Sequence, residues 1–134
     1  MIAVDTNIIC YYWLPSPLSA QAEALEERDP IWLVPPLWRS EFRNALAMSL
    51  RHRLIAMNDA IALVERAEAR LEKTEAVVSS RTVLELVAHS SCTAYDCEFV
   101  AVAREHGLRL VTADRQILRE FPHIAVSLQS FLSS

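Results

Sequence analysis

Four acidic side chains in this sequence stand where they could bind a divalent cation. Asp5 and Asp114 each end a short apolar segment that predicts a buried strand. Asp96 lies near the start of a predicted helix, and Glu41 lies inside another. Carboxylates are preferred ligands of Mg²⁺ and Mn²⁺, and such an ion can activate water to attack a phosphodiester. Because carboxylates gathered without a cation repel one another, the four together predict a metal site.

Helix capping is an alternative explanation for the aspartates. Aspartate is a preferred N-cap residue, and Asp114 is placed to cap a helix that begins at Arg115. Thr93 followed three residues later by Asp96 resembles a capping box. Asp96 nevertheless falls on the apolar face of its helix, together with Phe99, so its carboxylate is expected to point inward.

Glu41 is the most informative acid because it lies inside a helix, where capping is not available to it. At about 100° per residue it shares the apolar arc of Trp38 and Ala45, whereas Arg39 and Arg43 lie on the far side. A carboxylate on a core-facing arc costs several kcal/mol unless it is paired or bound to metal. The alternatives are an internal ion pair and a boundary position that reaches water.

The elements that would position these acids alternate between strands and helices, which predicts an α/β fold around a central parallel sheet. Predicted strands cover residues 2–4, 31–36, 75–80, 108–114 and 124–128. Predicted helices follow Asp5 and cover residues 18–28, 37–54, 82–89, 94–106 and 115–121, with a further helix capped by Asn58 and running to residue 73. Gly107, the only glycine, is expected to end the helix at 94–106 in the left-handed conformation. Asp5 and Asp114 then lie at the carboxyl ends of strands, where open α/β sheets place their ligand crevice.

Composition limits the remaining possibilities. With 134 residues, of which 52% are hydrophobic, residues 1–134 are expected to form a single domain with a sizeable core. Cys10, Cys92 and Cys97 form no CxxC motif, which favours reduced thiols and argues against a disulfide framework or a zinc site. No apolar run approaches the ~20 residues that span a bilayer, so a cytoplasmic protein without a membrane partner is expected. The net charge of −4 gives no overall attraction to nucleic acid.

Four motifs in series carry a resemblance to a known family. They are "VDTNI", "RSEFRNAL", "AYDCEFVAVA" and "TADRQIL", and together they extend over essentially the whole chain. Their order and approximate spacing resemble those of the PIN-domain nucleases, and the length is similar to that of VapC-type toxins. A response-regulator receiver would need a lysine after a late strand, but the only lysine is Lys73. A haloacid-dehalogenase-like phosphatase would need an aspartate where Asn7 stands.

The resemblance implies a three-layer α/β/α fold and a nuclease site. It makes Asp5, Glu41, Asp96 and Asp114 the catalytic and metal-binding residues, with Thr6, Asn7 and Thr112 in support. It also implies internal cleavage of RNA with Mg²⁺ or Mn²⁺, a homodimer, and inhibition by a cognate antitoxin of a type II toxin–antitoxin system. The alternative is a catalytically weak PIN-like module that binds RNA or a protein, and the presence of all four acids favours the enzyme.

Two further groups of residues have open interpretations. Arg39 and Arg43 flank Glu41 and could bind RNA phosphates, or they could belong to a solvated helix face. Tyr11, Tyr12 and Trp13 form an aromatic run that is typical of a core or an interface, and it supports the expected homodimer.

Overall fold

Four short parallel strands form the centre of the computed structural model, which describes residues 1–134. They are β1 Ile2–Val4, β2 Trp32–Leu33, β3 Leu110–Val111 and β4 Ala125–Val126. Their order across the sheet is β2-β1-β3-β4. In this register Ile2 lies opposite Trp32, and Val4 lies opposite Val111. The predicted parallel sheet is confirmed.

Helices flank the sheet in an α/β/α arrangement, as expected. They are α1 Thr6–Trp13, α2 Ser19–Arg28, α3 Trp38–Arg51, α4 Met57–Leu71, α5 Ser80–Ala88, α6 Ala94–His106, α7 Arg115–Glu120 and α8 Leu128–Ser133. A 3₁₀ turn, Glu72–Thr74, follows α4. None of these helices combines the length and the apolar character needed to cross a membrane.

Helix α6 forms much of the core. It packs against β1 and β3, and its side chains from Phe99 to Ala103 are all buried. Gly107 ends the helix with φ of +64°, a left-handed conformation that side chains with a Cβ rarely adopt. Burial of α6 against two strands fixes the position of its first turn, which carries Asp96.

The structure corrects several predicted boundaries. The expected strand at 75–80 is reduced to one bridge between Val34 and Glu75, because the chain then leaves the sheet edge and Val77 is 84% exposed. Helix α3 ends at Arg51 rather than at residue 54, since Arg53 takes a positive φ of 58°. Helix α4 begins at Met57, so Asn58 lies inside the first turn and does not cap it.

Helix α8 was not predicted from the sequence. The side chain of Ser127 caps it by accepting a hydrogen bond from the Ser130 N–H at 3.1 Å. At its other end the Arg28 guanidinium donates to the carbonyls of Phe131 and Ser134 at 2.8 and 2.7 Å. These contacts with Arg28 of α2 hold a short helix that local sequence pattern alone does not specify.

Candidate active site

The acids lie where the direction of the chain across the sheet changes. β1 and β3 are neighbours at the centre of the sheet. The connection after β1 leads to β2 at one edge of the sheet, and the connection after β3 leads to β4 at the other edge. Such a switch point leaves a crevice at the carboxyl ends of the two central strands. Asp5 directly follows β1, and Thr112 and Asp114 follow β3.

One open cavity of about 330 Å³ at this edge is lined by all four predicted acids. The residues that line it are Asp5, Thr6, Asn7, Cys10, Glu41, Asn44, Ala45, Asp96 and Asp114. Two strand ends, the long helix α3 and the first turn of α6 therefore deliver their carboxylates to the same space. No cationic side chain belongs to this lining.

Capping and cavity lining occur together at the two strand-end aspartates. Asp5 Oδ1 accepts a hydrogen bond from the Thr6 N–H at 2.7 Å and caps α1. Asp114 Oδ1 accepts from the Ile117 N–H at 2.9 Å and caps α7. In each case one carboxylate oxygen accepts a hydrogen bond from a helix N-terminus. An aspartate at these positions can therefore cap a helix and also line the cavity.

Thr112 and Asn7 connect the ends of β1 and β3. The buried Thr112 hydroxyl donates to Asp5 Oδ2 at 2.6 Å and accepts from the Asp114 N–H at 3.0 Å. Asn7 Oδ1 accepts from the Ala113 N–H at 3.1 Å, and its amide nitrogen lies 3.4 Å from Asp5 Oδ2. These two side chains therefore fix the orientation of Asp5 relative to Asp114.

Glu41 is held by a contact between helices. The Thr6 hydroxyl, on the first turn of α1, donates to Glu41 Oε1 at 2.6 Å. This bond uses one oxygen of Glu41 and leaves the other without a protein donor. Neither Arg39 nor Arg43 contacts Glu41, in agreement with the helical spacing.

The electrostatics of the cavity disfavour ionised carboxylates. Burial raises the pKa of Asp5 to about 6, and the nearby Glu41 and Asp96 charges add to the effect. Burial also raises the pKa of Glu41, with contributions from Asp96 and Glu98. The pKa of Asp96 is raised by burial and by the charge of Asp114. A positive charge placed in the cavity would reverse these shifts.

The family of this fold follows from a comparison of the sequence with family models. The model described as the PIN domain matches residues 2–124. This chain belongs to the PIN-domain family. A search of curated protein sequences found no match.

Several solved structures share the fold of this chain. PAE2754 from Pyrobaculum aerophilum is 23% identical, with a TM-score of 0.70 over 98% of this chain and 93% of its own. FitAcB from Neisseria gonorrhoeae is 17% identical, with a TM-score of 0.75 over 96% of this chain and 99% of its own. A toxin–antitoxin complex from Klebsiella pneumoniae contains a chain that is 15% identical, with a TM-score of 0.69 and coverage of 96% and 98%. At these identities the likeness is one of fold.

The chemistry of the PIN site suits a hard divalent cation, although the side chains are not arranged as a closed cage. The donor set consists of carboxylates, which Mg²⁺ and Mn²⁺ prefer, and burial together with the neighbouring negative charges raises the pKa values of Asp5, Glu41 and Asp96. No three acidic, histidine or cysteine side chains converge closely enough to hold an ion as they stand. Ion binding would therefore require small rotations of the more exposed carboxylates, while Asp5 stays fixed by Thr112.

Two lining residues of the PIN cavity were not predicted. Asn44 lies three residues after Glu41 on α3, and Cys10 lies three residues after Asn7 on α1. Burial raises the pKa of the Cys10 thiol to about 11, and the charges of Asp5 and Glu41 add to it, so this thiol stays protonated. The signal that could have found both residues is helical periodicity, since residues three apart share a helix face.

The two arginines proposed as RNA ligands do not line the cavity. Arg39 donates to Glu75 through Nε at 2.9 Å and Nη2 at 2.7 Å, and it also contacts Glu68. Arg43 is 60% exposed and lies 4.0 Å from Glu68. The guanidinium of Arg39 is thus already engaged by carboxylates, and RNA binding by either residue stays a prediction.

Proposed function

We propose that this PIN-domain protein is a Mg²⁺- or Mn²⁺-dependent endoribonuclease that hydrolyses RNA phosphodiester bonds. The observation that carries the proposal is the cavity itself, in which four carboxylates meet at the sheet's switch point without a cationic side chain. A purely structural cluster of this kind would be expected to contain its own arginine or lysine. Burial and mutual repulsion raise the pKa values of Asp5, Glu41 and Asp96, and a bound cation would offset both effects.

In this proposal Asp5, Glu41, Asp96 and Asp114 would hold the ion, and the hydroxyl groups of two threonines orient Asp5 and Glu41. When bound, the ion supplies the charge that draws an RNA phosphate into an acidic cavity and makes water a better nucleophile. Thr112 keeps one oxygen of Asp5 in place, and Thr6 does the same for Glu41. The second oxygen of Glu41 has no protein donor, whereas both oxygens of Asp5 accept hydrogen bonds from the chain.

The test is cleavage of a defined single-stranded RNA with Mg²⁺, with Mn²⁺ and with EDTA, followed by analysis of the new ends. Attack by water expels the 3′ oxygen, so 5′-phosphate and 3′-hydroxyl ends are expected. Undiminished cleavage in EDTA would refute the metal requirement, and ends that carry a 2′,3′-cyclic phosphate would show attack by the RNA 2′-hydroxyl instead of water.

An antitoxin is the proposed protein partner, which makes the chain the toxin of a type II pair. A structural neighbour was solved as a toxin–antitoxin complex. On this chain, a mostly apolar groove of about 690 Å³ lies between the end of α1 and the α3–α4 corner, where an amphipathic antitoxin segment would fit. Its lining is Trp13, Leu14, Pro15, Ser49, Leu54, Ile55, Ala56, Asp59, Ala62, Leu63 and Arg66.

Co-expression with the small protein encoded next to this chain tests the groove. Ala62 is exposed, so Ala62→Glu is expected to leave the fold intact while placing a charge in the groove and weakening co-purification. Ala69→Glu, an exposed position on the same helix outside the groove, is the matched control. Equal recovery of the partner by both variants would exclude the groove as the docking site.

Homodimerisation is the remaining part of the proposal. The aromatic run Tyr11, Tyr12 and Trp13 does not support it, because its rings pack within the chain. Tyr12 packs edge-on against Trp13 and Trp32, with ring centroids 5.1 and 5.4 Å apart. Exposed apolar side chains occur instead at Val77, Leu84 and Tyr95, which are 84%, 62% and 65% exposed. Leu84 lines a surface pocket beside α5, and Val77 lies next to that pocket. Tyr95 lies on the neighbouring helix α6.

Light scattering at micromolar protein tests this assignment. We expect a dimer mass for the unaltered protein. Leu84→Glu should give a monomer mass, because the new charge would be buried at the two-fold contact. A monomer mass for the unaltered protein without antitoxin would refute dimerisation.

A catalytically weak PIN-like module that binds RNA or protein is the second candidate. The observation that favours it is the absence of three carboxylates already close enough to hold an ion. Calorimetry with Mn²⁺ separates the two candidates: the enzyme requires saturable binding that Asp96→Asn weakens. A protein that binds RNA but neither binds Mn²⁺ nor cleaves would be the module.

A further inference from the structure

Asn44 lies on the wall of the acid cavity and is exposed to solvent. It follows Glu41 by three residues on α3, so the two side chains share a helix face and are separated by a rise of about 4.5 Å along the axis. The amide is therefore presented beside a proposed metal ligand, at the open side of the cavity.

The other uncharged hydroxyl and amide groups of the site are already engaged. The Thr6 hydroxyl donates to Glu41, and the Thr112 hydroxyl donates to Asp5. Asn7 accepts from Ala113 and lies against Asp5 and Thr112. None of the side-chain hydrogen bonds within the chain involves Asn44, so its two N–H donors are available to a ligand.

We propose that Asn44 donates a hydrogen bond to a non-bridging oxygen of the RNA phosphate that occupies the acid cavity. This inference rests on the proposed nuclease function and identifies a substrate-positioning residue for it. A phosphate must enter a space lined by four carboxylates, and a donor on the wall offsets part of the repulsion. An amide does so without neutralising the carboxylates, whereas a lysine or arginine at this position would compete with the metal ion for them.

A phosphate fits the position of Asn44 better than a base edge does. The amide lines the same cavity as the proposed metal ligands, and the reacting phosphate must lie in that cavity for hydrolysis to occur. The contact is therefore independent of RNA sequence, because phosphate oxygens are the same at every nucleotide.

The test compares Asn44→Ala, Asn44→Gln and Asn44→Asp with the unaltered protein. Cleavage kinetics are measured with Mn²⁺ on two single-stranded RNAs that differ in base sequence, and Mn²⁺ affinity is measured by calorimetry without RNA. Asn58→Ala is the matched control, because Asn58 is an exposed asparagine on α4 outside the cavity.

We expect Asn44→Ala to raise KM about tenfold or more on both RNAs, as loss of a hydrogen bond to a charged oxygen would do, with Mn²⁺ affinity unchanged. Asn44→Gln keeps the amide and is expected to restore part of the loss. Asn44→Asp adds a fifth carboxylate, so it should bind Mn²⁺ more tightly and have a higher KM than Asn44→Ala. Asn58→Ala should match the unaltered protein in every measurement.

Three results would overturn the assignment while leaving the nuclease function in place. They are an unchanged KM in Asn44→Ala, an increase confined to one of the two RNAs, and a fall in Mn²⁺ affinity that accounts for the change in KM. The second would indicate a base contact, and the third would indicate a role in holding the metal. An unaltered protein that cleaves neither RNA would instead refute the proposed function, and with it this inference.

Discussion

Helix α3 contributes a side chain to each of two acidic clusters, which differ in whether a cationic side chain lies among the carboxylates. Near its start, Arg39 lies between Glu68 and Glu75, with both terminal oxygens of Glu75 bonded to the guanidinium. Two residues further on, Glu41 faces the cavity shared with Asp5 and the other acids, and the only side-chain donor on it is the Thr6 hydroxyl.

The pKa values of the two clusters move in opposite directions. The hydrogen bonds from Arg39 lower the pKa of Glu75, so this carboxylate stabilises the fold when it is ionised. Burial and the neighbouring charges of Asp96 and Glu98 raise the pKa of Glu41, so its ionisation destabilises the fold. The carboxylates paired with Arg39 therefore contribute to stability, whereas the cavity carboxylates lack a cationic partner, which is why we place the proposed ion there.

The largest expected effect is on activity. Asp96→Asn should lower the rate of RNA cleavage at least about 100-fold, because it removes a charged ligand from the proposed ion site. Cleavage assays and Mn²⁺ calorimetry measure the loss, and circular dichroism checks that the fold is retained. Glu65→Gln, at an exposed position on α4, removes the same charge outside both clusters and should have no effect. Full activity of Asp96→Asn would remove this residue from the site.

The second expected effect is a fall in stability of the metal-free protein as pH rises. The pKa of Asp5 is raised from 3.8 to about 6 in the fold, so between these values the folded state binds more protons than the unfolded state. The contribution of Asp5 to stability must then decrease through this window, by an upper limit of about 3 kcal/mol. Urea denaturation from about pH 4 to about pH 7.5 measures the slope.

Substitutions in the two clusters should change the dependence of stability on pH in different ranges. Asp5→Asn retains a good N-cap residue for α1 and should flatten the decline between about pH 4 and pH 6. Glu75→Gln should instead remove stability at neutral pH, because the lowered pKa of Glu75 means that its contribution is lost only as pH falls. The same slope in Asp5→Asn as in the unaltered protein would show that Asp5 is not the group responsible.

The third expected effect is structural. Arg39→Met should destabilise the protein by about 1–3 kcal/mol, since it leaves Glu68 and Glu75 close together without a cation. Arg43→Met is the control, because Arg43 is 60% exposed and its contact with Glu68 is 4.0 Å long, so a change within about 0.5 kcal/mol is expected. Urea denaturation measures both. A loss of Mn²⁺ affinity in Arg39→Met would contradict the separation of the two clusters.

What the sequence predicted correctly was specified by neighbouring residues. The apolar segment before Asp5 gave β1, and the long apolar face ended by Gly107 gave α6. The grouping of the acids followed because the carboxyl ends of parallel strands share one edge, and because Glu41 lay on an apolar arc.

What the sequence did not predict depends on contacts between distant segments. Arg39 is engaged by Glu75, which lies 36 residues away, so its involvement in an ion pair could not be read from α3. Helix α8 depends on Arg28 of α2, and the segment after Glu75 leaves the sheet although its valines favour a strand. Asn44 is different, because the sequence already shows that it lies three residues after Glu41 on the same helix. Only the absence of a side-chain hydrogen bond to Asn44 within the chain required the structure.

The smallest expected effect is a gain in stability of Asp96→Asn in EDTA. The pKa of Asp96 is raised by burial and by Asp114, so the ionised carboxylate is disfavoured in the fold and a nearly isosteric amide relieves the repulsion. Asp96 also lies in the first turn of α6, where the helix dipole favours a negative charge by about 0.3–1 kcal/mol, which limits the gain. We expect an increase in Tm of about 2–4 °C near neutral pH. The gain should shrink as pH falls, because the raised pKa of Asp96 means that the folded state takes up the proton first, and excess Mn²⁺ should reverse the order because only the unaltered protein keeps all the proposed ligands. A lower Tm for Asp96→Asn in EDTA at neutral pH would show that capping of α6, rather than repulsion within the acid cavity, dominates the energetics of this residue.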